Sequence, residues 1–262
     1  MLNQQICFSN FTSPKLMNHN SSKNPNLSIS KRAAEERGFS DHGWLQARFT
    51  FSFADYYDKN HMGFRSLKVM NNDTIAPGGG FPDHPHSNME IFTYIIEGKL
   101  SHRDSMGNEA TLTPGKLQYM SAASGIRHSE FNPSTNNQTT LYQIWLEPNM
   151  KGGEPLYFEK SLDTESTKNT LTLLYSDDGR DNSTKIRQDA EISYGETCTT
   201  EKTMFVEANQ SLPHAWLQII SGETETLGES LKKGDGLAIS NAHDGFNINS
   251  KENTKFLLFR LC

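Results

Sequence analysis

Short β-type runs, punctuated by Gly and Pro turn signals, dominate this sequence and limit the folds open to it more than any single residue does. Ile91–Glu97 runs into Gly98-Lys99, Leu117–Met120 follows Pro114-Gly115, and Leu141–Leu146 ends at Glu147-Pro148. The second half repeats the style, with Trp216–Ile220 before Ser221-Gly222, Leu237–Ser240 after Gly234-Asp235-Gly236, and Phe256–Leu261 at the end. Apolar runs of this length between turn residues read as strands, and no long helix stands out. The expected fold class is therefore all-β, a sandwich or barrel. An apolar content of 34% suits strands with polar outer faces better than a helical bundle.

The 262 residues suffice for one large unit or two smaller ones. No apolar run is long enough to span a bilayer as a helix. A net charge of -6 without a dense Lys/Arg block disfavours direct nucleic-acid binding. Cys7, Cys198 and Cys262 are odd in number and far apart, with no CxxC pair, so neither a disulfide framework nor a cysteine zinc site is expected. That usage, together with an N-terminus lacking a charged-then-apolar leader, points to a cytoplasmic protein.

The sharpest chemical feature is His84-Pro85-His86, preceded by Gly78-Gly79-Gly80. Residues two apart on a strand share a face, with Cα atoms roughly 6.6 Å apart. Two such imidazoles can converge on one ion at about 2.0–2.1 Å each. His128-Ser129-Glu130 has the same spacing and the same facing. Either pair alone is more often a packed or exposed feature than a ligand set. Two pairs in a strand-rich chain favour a metal site. Three imidazoles with a carboxylate accept Fe(II), Mn(II), Ni(II), Cu(II) or Zn(II). Parity leaves both Glu90 and Glu130 open as the carboxylate ligand.

The stretches HPHSNMEIFTYIIEGKLSHRDSMGN (His84–Asn108) and MSAASGIRHSEFNPS (Met120–Ser134) resemble the pirin family of double-barrel cupins. HGWLQARFTFSFADYYD (His42–Asp58) and LYQIWLEP (Leu141–Pro148) fit the same family, closest to its bacterial quercetin-dioxygenase-like members. The resemblance covers roughly residues 31 to 262. It implies two antiparallel, jelly-roll-type cupin β-barrels packed face to face. Residues 1–30 would form a disordered polar tail, 31–155 a metal-binding barrel, and 156–262 a barrel without a metal. It also implies His84, His86, His128 and Glu130 as the ligands of one divalent metal, iron first among the candidates. Glu90 then becomes a supporting or solvated acid.

An open site of three histidines and one glutamate suits a catalytic metal. The resemblance implies a dioxygenase that opens the heterocycle of flavonols such as quercetin, using O2 and releasing CO, with Glu130 taking the hydroxyl proton. The family also implies a second reading, an iron-dependent redox sensor or transcription co-regulator with protein partners. A third is a cupin that uses its metal only as a Lewis acid. Other features are set aside. Gly78-Gly79-Gly80 lacks the setting of a phosphate loop and is expected to be a turn. His102 sits beside a polar turn and is expected to be solvated. Phe49, Phe51 and Phe53 read as core on one strand face. Tyr142 and Trp145 are expected in the barrel interior or rim.

Overall fold

The computed structural model describes residues 25–163, 165–198 and 202–262. Cys7 and most of the expected tail lie outside them. The strands fall into four sheets, a large and a small one in each half of the chain.

In the first half the seven-stranded sheet runs β12 (Leu156–Ser161), β9 (Lys116–Ser121), β6 (Glu90–Glu97), β11 (Thr139–Leu146), β4 (Leu67–Ile75), β3 (Leu45–Phe49), β2 (Gly38–Asp41). Its four-stranded companion runs β5 (Gly80–His86), β10 (Ile126–Phe131), β7 (Leu100–Asp104), β8 (Glu109–Leu112). The second half repeats this layout. Its large sheet runs β1 (Ser28–Arg32), β20 (Gly236–Ser240), β17 (His214–Ser221), β22 (Thr254–Leu261), β15 (Ala190–Thr197), β13 (Thr170–Ser176), β14 (Thr184–Lys185). Its small sheet runs β16 (Lys202–Val206), β21 (Phe246–Ser250), β18 (Glu223–Thr226), β19 (Glu229–Lys232).

The fold is all-β with two cupin units. The six apolar runs read from the sequence fall in β6, β9, β11, β17, β20 and β22. The expected barrels are corrected in one respect. Among the described residues no ladder joins a large sheet to its small companion, so each unit is an open two-sheet jelly roll. The strand preceding each half completes the other half's large sheet. β1 pairs with β20 from Ser28↔Ser240 to Arg32↔Gly236, so Ser28–Ser30 of the expected tail are strand. β12 pairs with β9 from Leu156↔Ser121 to Ser161↔Lys116.

The large sheets are buried on both faces, and alternation sorts their side chains. On β11, Tyr142, Ile144 and Leu146 join Phe92, Tyr119, Tyr175, Trp216 and Phe259 in a core between the two large sheets. This is the face-to-face packing of the two units. Leu141 points the opposite way, with Ile75, Ile95 and Leu100, into the interior of the first jelly roll. Phe49 belongs to that interior and Phe53 packs against it, whereas Phe51 joins the inter-unit core against Trp216 at 5.0 Å. The three phenylalanines are not one strand face because β3 ends at Phe49.

Candidate metal centre

The site lies in the interior of the first jelly roll. His84 and His86 stand on β5, opposite His128 and Ile126 respectively on β10. The register slips between His128 and Glu130, so that Glu130 faces Phe81. This bulge lets Phe81, an odd step from His84, line the same cavity. The glycine run permits the approach. A Cβ on Gly80 would stand 2.3 Å from the Glu130 carbonyl oxygen, and Gly78 turns at φ +69°.

The four predicted residues are not brought together equally. His84, His86 and His128 offer ring nitrogens within 4.8 Å of one another, and Glu130 groups with His128 and His102 in a second set of the same tightness. The rings of His84, His86 and His128 are 4.5–4.8 Å apart, and Trp145 meets the His86 ring edge-on at 4.9 Å. The Nδ1 of His84 is bonded to the Pro82 carbonyl at 2.7 Å, which leaves its Nε2 free as a donor to an ion. His128 is 2% exposed, and its buried Nε2 has no partner. An orphaned nitrogen facing two further imidazoles fits a divalent cation well.

Glu130 is fixed from the opposite sheet. Gln143 on β11 donates its Nε2 to both carboxylate oxygens, at 3.0 and 2.9 Å, and accepts from the Thr93 hydroxyl at 3.3 Å. Burial pushes Glu130 up to about 7, and the Gln143 bond opposes the shift. Burial also raises Asp73 to about 7, with the Glu130 charge adding to it. The histidines move the other way. Burial, then the neighbouring His84, lowers His86 to about 4. Burial and the surrounding imidazoles lower His128 to about 2. Both are therefore neutral at pH 7, the form that ligates metals.

Glu90 lies on the other face of its sheet. Its carboxylate accepts from the Tyr119 hydroxyl, from the Ser121 hydroxyl at 2.5 Å and from the Arg187 backbone N–H at 3.1 Å. It is a buried acid that ties the two units together, neither solvated nor near the histidines. The expected solvation of His102 is also corrected: it is 3% exposed, because Tyr157 of β12 stacks on its ring at 5.0 Å.

A cavity of about 170 Å³ opens onto the cluster, with Phe53, Phe81, Ile91 and Trp145 as its apolar wall. Asn71, Asp73 and Gln143 line it as well, and sequence reading missed all three. For Asn71 and Asp73 the signal was present in β4, where the inward positions Val69, Asn71, Asp73 and Ile75 place two polar residues on a core face.

A family model described as pirin matches residues 30–146, and one described as quercetinase C-terminal cupin domain matches residues 173–261. A quercetin 2,3-dioxygenase of Escherichia coli strain K12 is 42% identical over 230 residues, 88% of this chain and 97% of the relative. A pirin-like protein of Caulobacter vibrioides is 39% identical over 80% of this chain and 90% of its own length. The crystal structure of the Escherichia coli protein YhhW superposes with a TM-score of 0.85 at 40% identity, covering 90% of this chain and 98% of that one. A nickel(II) complex of the same bacterial pirin gives 0.84 at 39% identity, covering 89% and 99%. No helix among the described residues is long and apolar enough to cross a membrane.

Proposed function

This chain belongs to the pirin family and is quercetin 2,3-dioxygenase-like; from that premise we propose that it is a metal-dependent dioxygenase that opens the heterocycle of flavonols such as quercetin, consuming O2 and releasing CO. The observation that carries the reading is the convergence of His84, His86 and the unpartnered Nε2 of His128 at an apolar-walled cavity beside Glu130. In this reading those four residues are the metal ligands. Three imidazoles and a carboxylate take Fe(II), Mn(II), Ni(II), Cu(II) or Zn(II), with iron first among the candidates. The nickel complex of the Escherichia coli relative supports a divalent ion.

Bound there, the metal would supply Lewis acidity and, for the redox-active ions among these, redox capacity. The protein supplies the rest. Phe53, Phe81, Ile91 and Trp145 hold a planar aromatic substrate and exclude water. Glu130, beside the metal position, accepts the proton of the flavonol hydroxyl. Gln143 keeps the carboxylate aimed while the proton moves. The cavity is smaller than the roughly 300 Å³ of a drug-sized site, so the reacting ring enters and the remainder of the substrate rests at the mouth. The relatives' names favour turnover over the regulatory reading.

Oxygen uptake with quercetin tests the proposal, using protein stripped of metal and reloaded separately with each ion, with CO measured as product. Metal-dependent uptake with matching CO is expected, together with its loss in His86→Ala. Fully loaded protein that consumes no oxygen would overturn it.

A further inference from the structure

His102 and Asp104 stand on β7, along the edge of β10 opposite to β5, which carries the other two imidazoles. β7 and β10 pair so that His128 lies opposite Asp104, and Glu130 opposite His102. The four side chains therefore share the interior face. His102 Nε2 lies 3.4 Å from Asp104 Oδ2, and His102 Nδ1 lies 3.4 Å from His128 Nδ1. The Asp104 carboxylate is itself fixed by a turn. Its Oδ1 accepts from the backbone N–H groups of Met106 and Asn108, at 2.9 and 3.0 Å, and its Oδ2 from the Asn108 amide at 2.8 Å. Tyr157 stacks on the His102 ring and holds its plane.

Proton counting then decides the tautomers. A carboxylate that accepts three hydrogen bonds offers His102 Nε2 only lone pairs, so the single proton of neutral His102 sits on Nε2. His102 Nδ1 is then a lone pair, and the neighbouring Nδ1 of His128 must carry its proton. His128 Nε2 is left as a lone pair, and it is the buried nitrogen without a partner.

We infer that Asp104 and His102 form a relay that holds the proton of His128 on Nδ1 and aims its Nε2 lone pair at the metal position. His102 is a positioning residue in this scheme and not a ligand, although its ring lies close enough to be mistaken for one. The inference rests on the reading of His128 as a metal ligand. Partners of this kind are worth 10–100-fold in metal affinity, because they fix the ring and raise its basicity.

The test uses the full chain and Co(II) as the probe, with affinity read by chelator competition and ligand geometry by the ligand-field spectrum. His102→Leu is expected to weaken Co(II) binding 10–100-fold and to shift the bands. His102→Asn is expected to restore most of the affinity, since its amide oxygen can accept the His128 N–H. Should the leucine variant fail to fold, Asp104→Asn is read in its place, with a several-fold loss expected. Wild-type affinity in His102→Leu, or in Asp104→Asn, overturns the relay, as does an asparagine variant no better than leucine. His128→Ala separates the two claims. If it still binds Co(II) normally, the metal-site reading fails and takes the relay with it. If it loses binding while His102→Leu does not, the relay alone fails.

Discussion

The two halves of the molecule have one layout and opposite interiors. Strand for strand, β5-β10-β7-β8 in the first half matches β16-β21-β18-β19 in the second, each facing a seven-stranded sheet. Where β5 carries His84 and His86, β16 carries Met204 and Val206; where β10 carries His128 and Glu130 in its third and fifth places, β21 carries Ile248 and Ser250. Met204, Val206, Phe246 and Ile248 belong to an apolar core with Leu217, Leu237 and Leu258. The second half thus shows what this architecture needs to hold together: apolar side chains meeting across two sheets. Four buried or half-buried titratable residues in the first half do not serve that purpose, because taking such groups out of water costs stability. The polar interior is the part of the molecule that the proposed chemistry would use, with the apolar one as its support.

Three substitutions sharpen or break this contrast. The largest effect belongs to the apolar interior. Ile248→Ala should lower stability by about 2–5 kcal/mol, read by urea unfolding, and leave the metal content unchanged. A change in metal content would show that the halves are not divided in this way. Next is Glu130→Gln in metal-free protein. Glu130 holds its proton up to about pH 7 when folded, against an ordinary value of 4.5. The native state therefore binds more protons than the unfolded state between those values, and stability falls as pH rises through the window. Glutamine removes that slope. The variant should gain on wild type by about 2 kcal/mol between pH 5 and pH 8; an equal difference at both pH values would contradict the burial argument. The smallest effect is expected of Glu90→Gln, which weakens the bonds to Tyr119 and Ser121. About 1 kcal/mol of stability should be lost with metal binding intact, whereas loss of metal would reinstate Glu90 as a ligand.

The fold class and the histidine cluster were legible in the sequence because both depend on local periodicity. Strand runs between turns announce a β architecture, and two-residue spacing puts His84 with His86 on one face. Parity failed where it was carried from one strand to another. β6 is buried on both faces from Glu90 to Ile95, so an even step from a histidine on β5 says nothing about which side Glu90 takes. His102 was misread for a related reason. Its neighbours form a polar turn, but Tyr157, which covers it, arrives on a strand 55 residues later through the β9–β12 pairing. Gln143 sits within an apolar run whose two faces serve different cores, and its reach to Glu130 depends on how two sheets face each other. The exchange of β1 into the far sheet likewise leaves no local mark, because Ser28–Arg32 is polar and flanked by the Asn- and Ser-rich segment.

Metal content per chain tests the central contrast most directly. Protein stripped and reloaded with Fe(II) or Ni(II) should carry one ion per chain, and His84→Ala/His128→Ala should carry almost none while keeping its metal-free melting behaviour. Two ions per wild-type chain, or a full complement in the double variant, would contradict the assignment of a single metal centre to the first half.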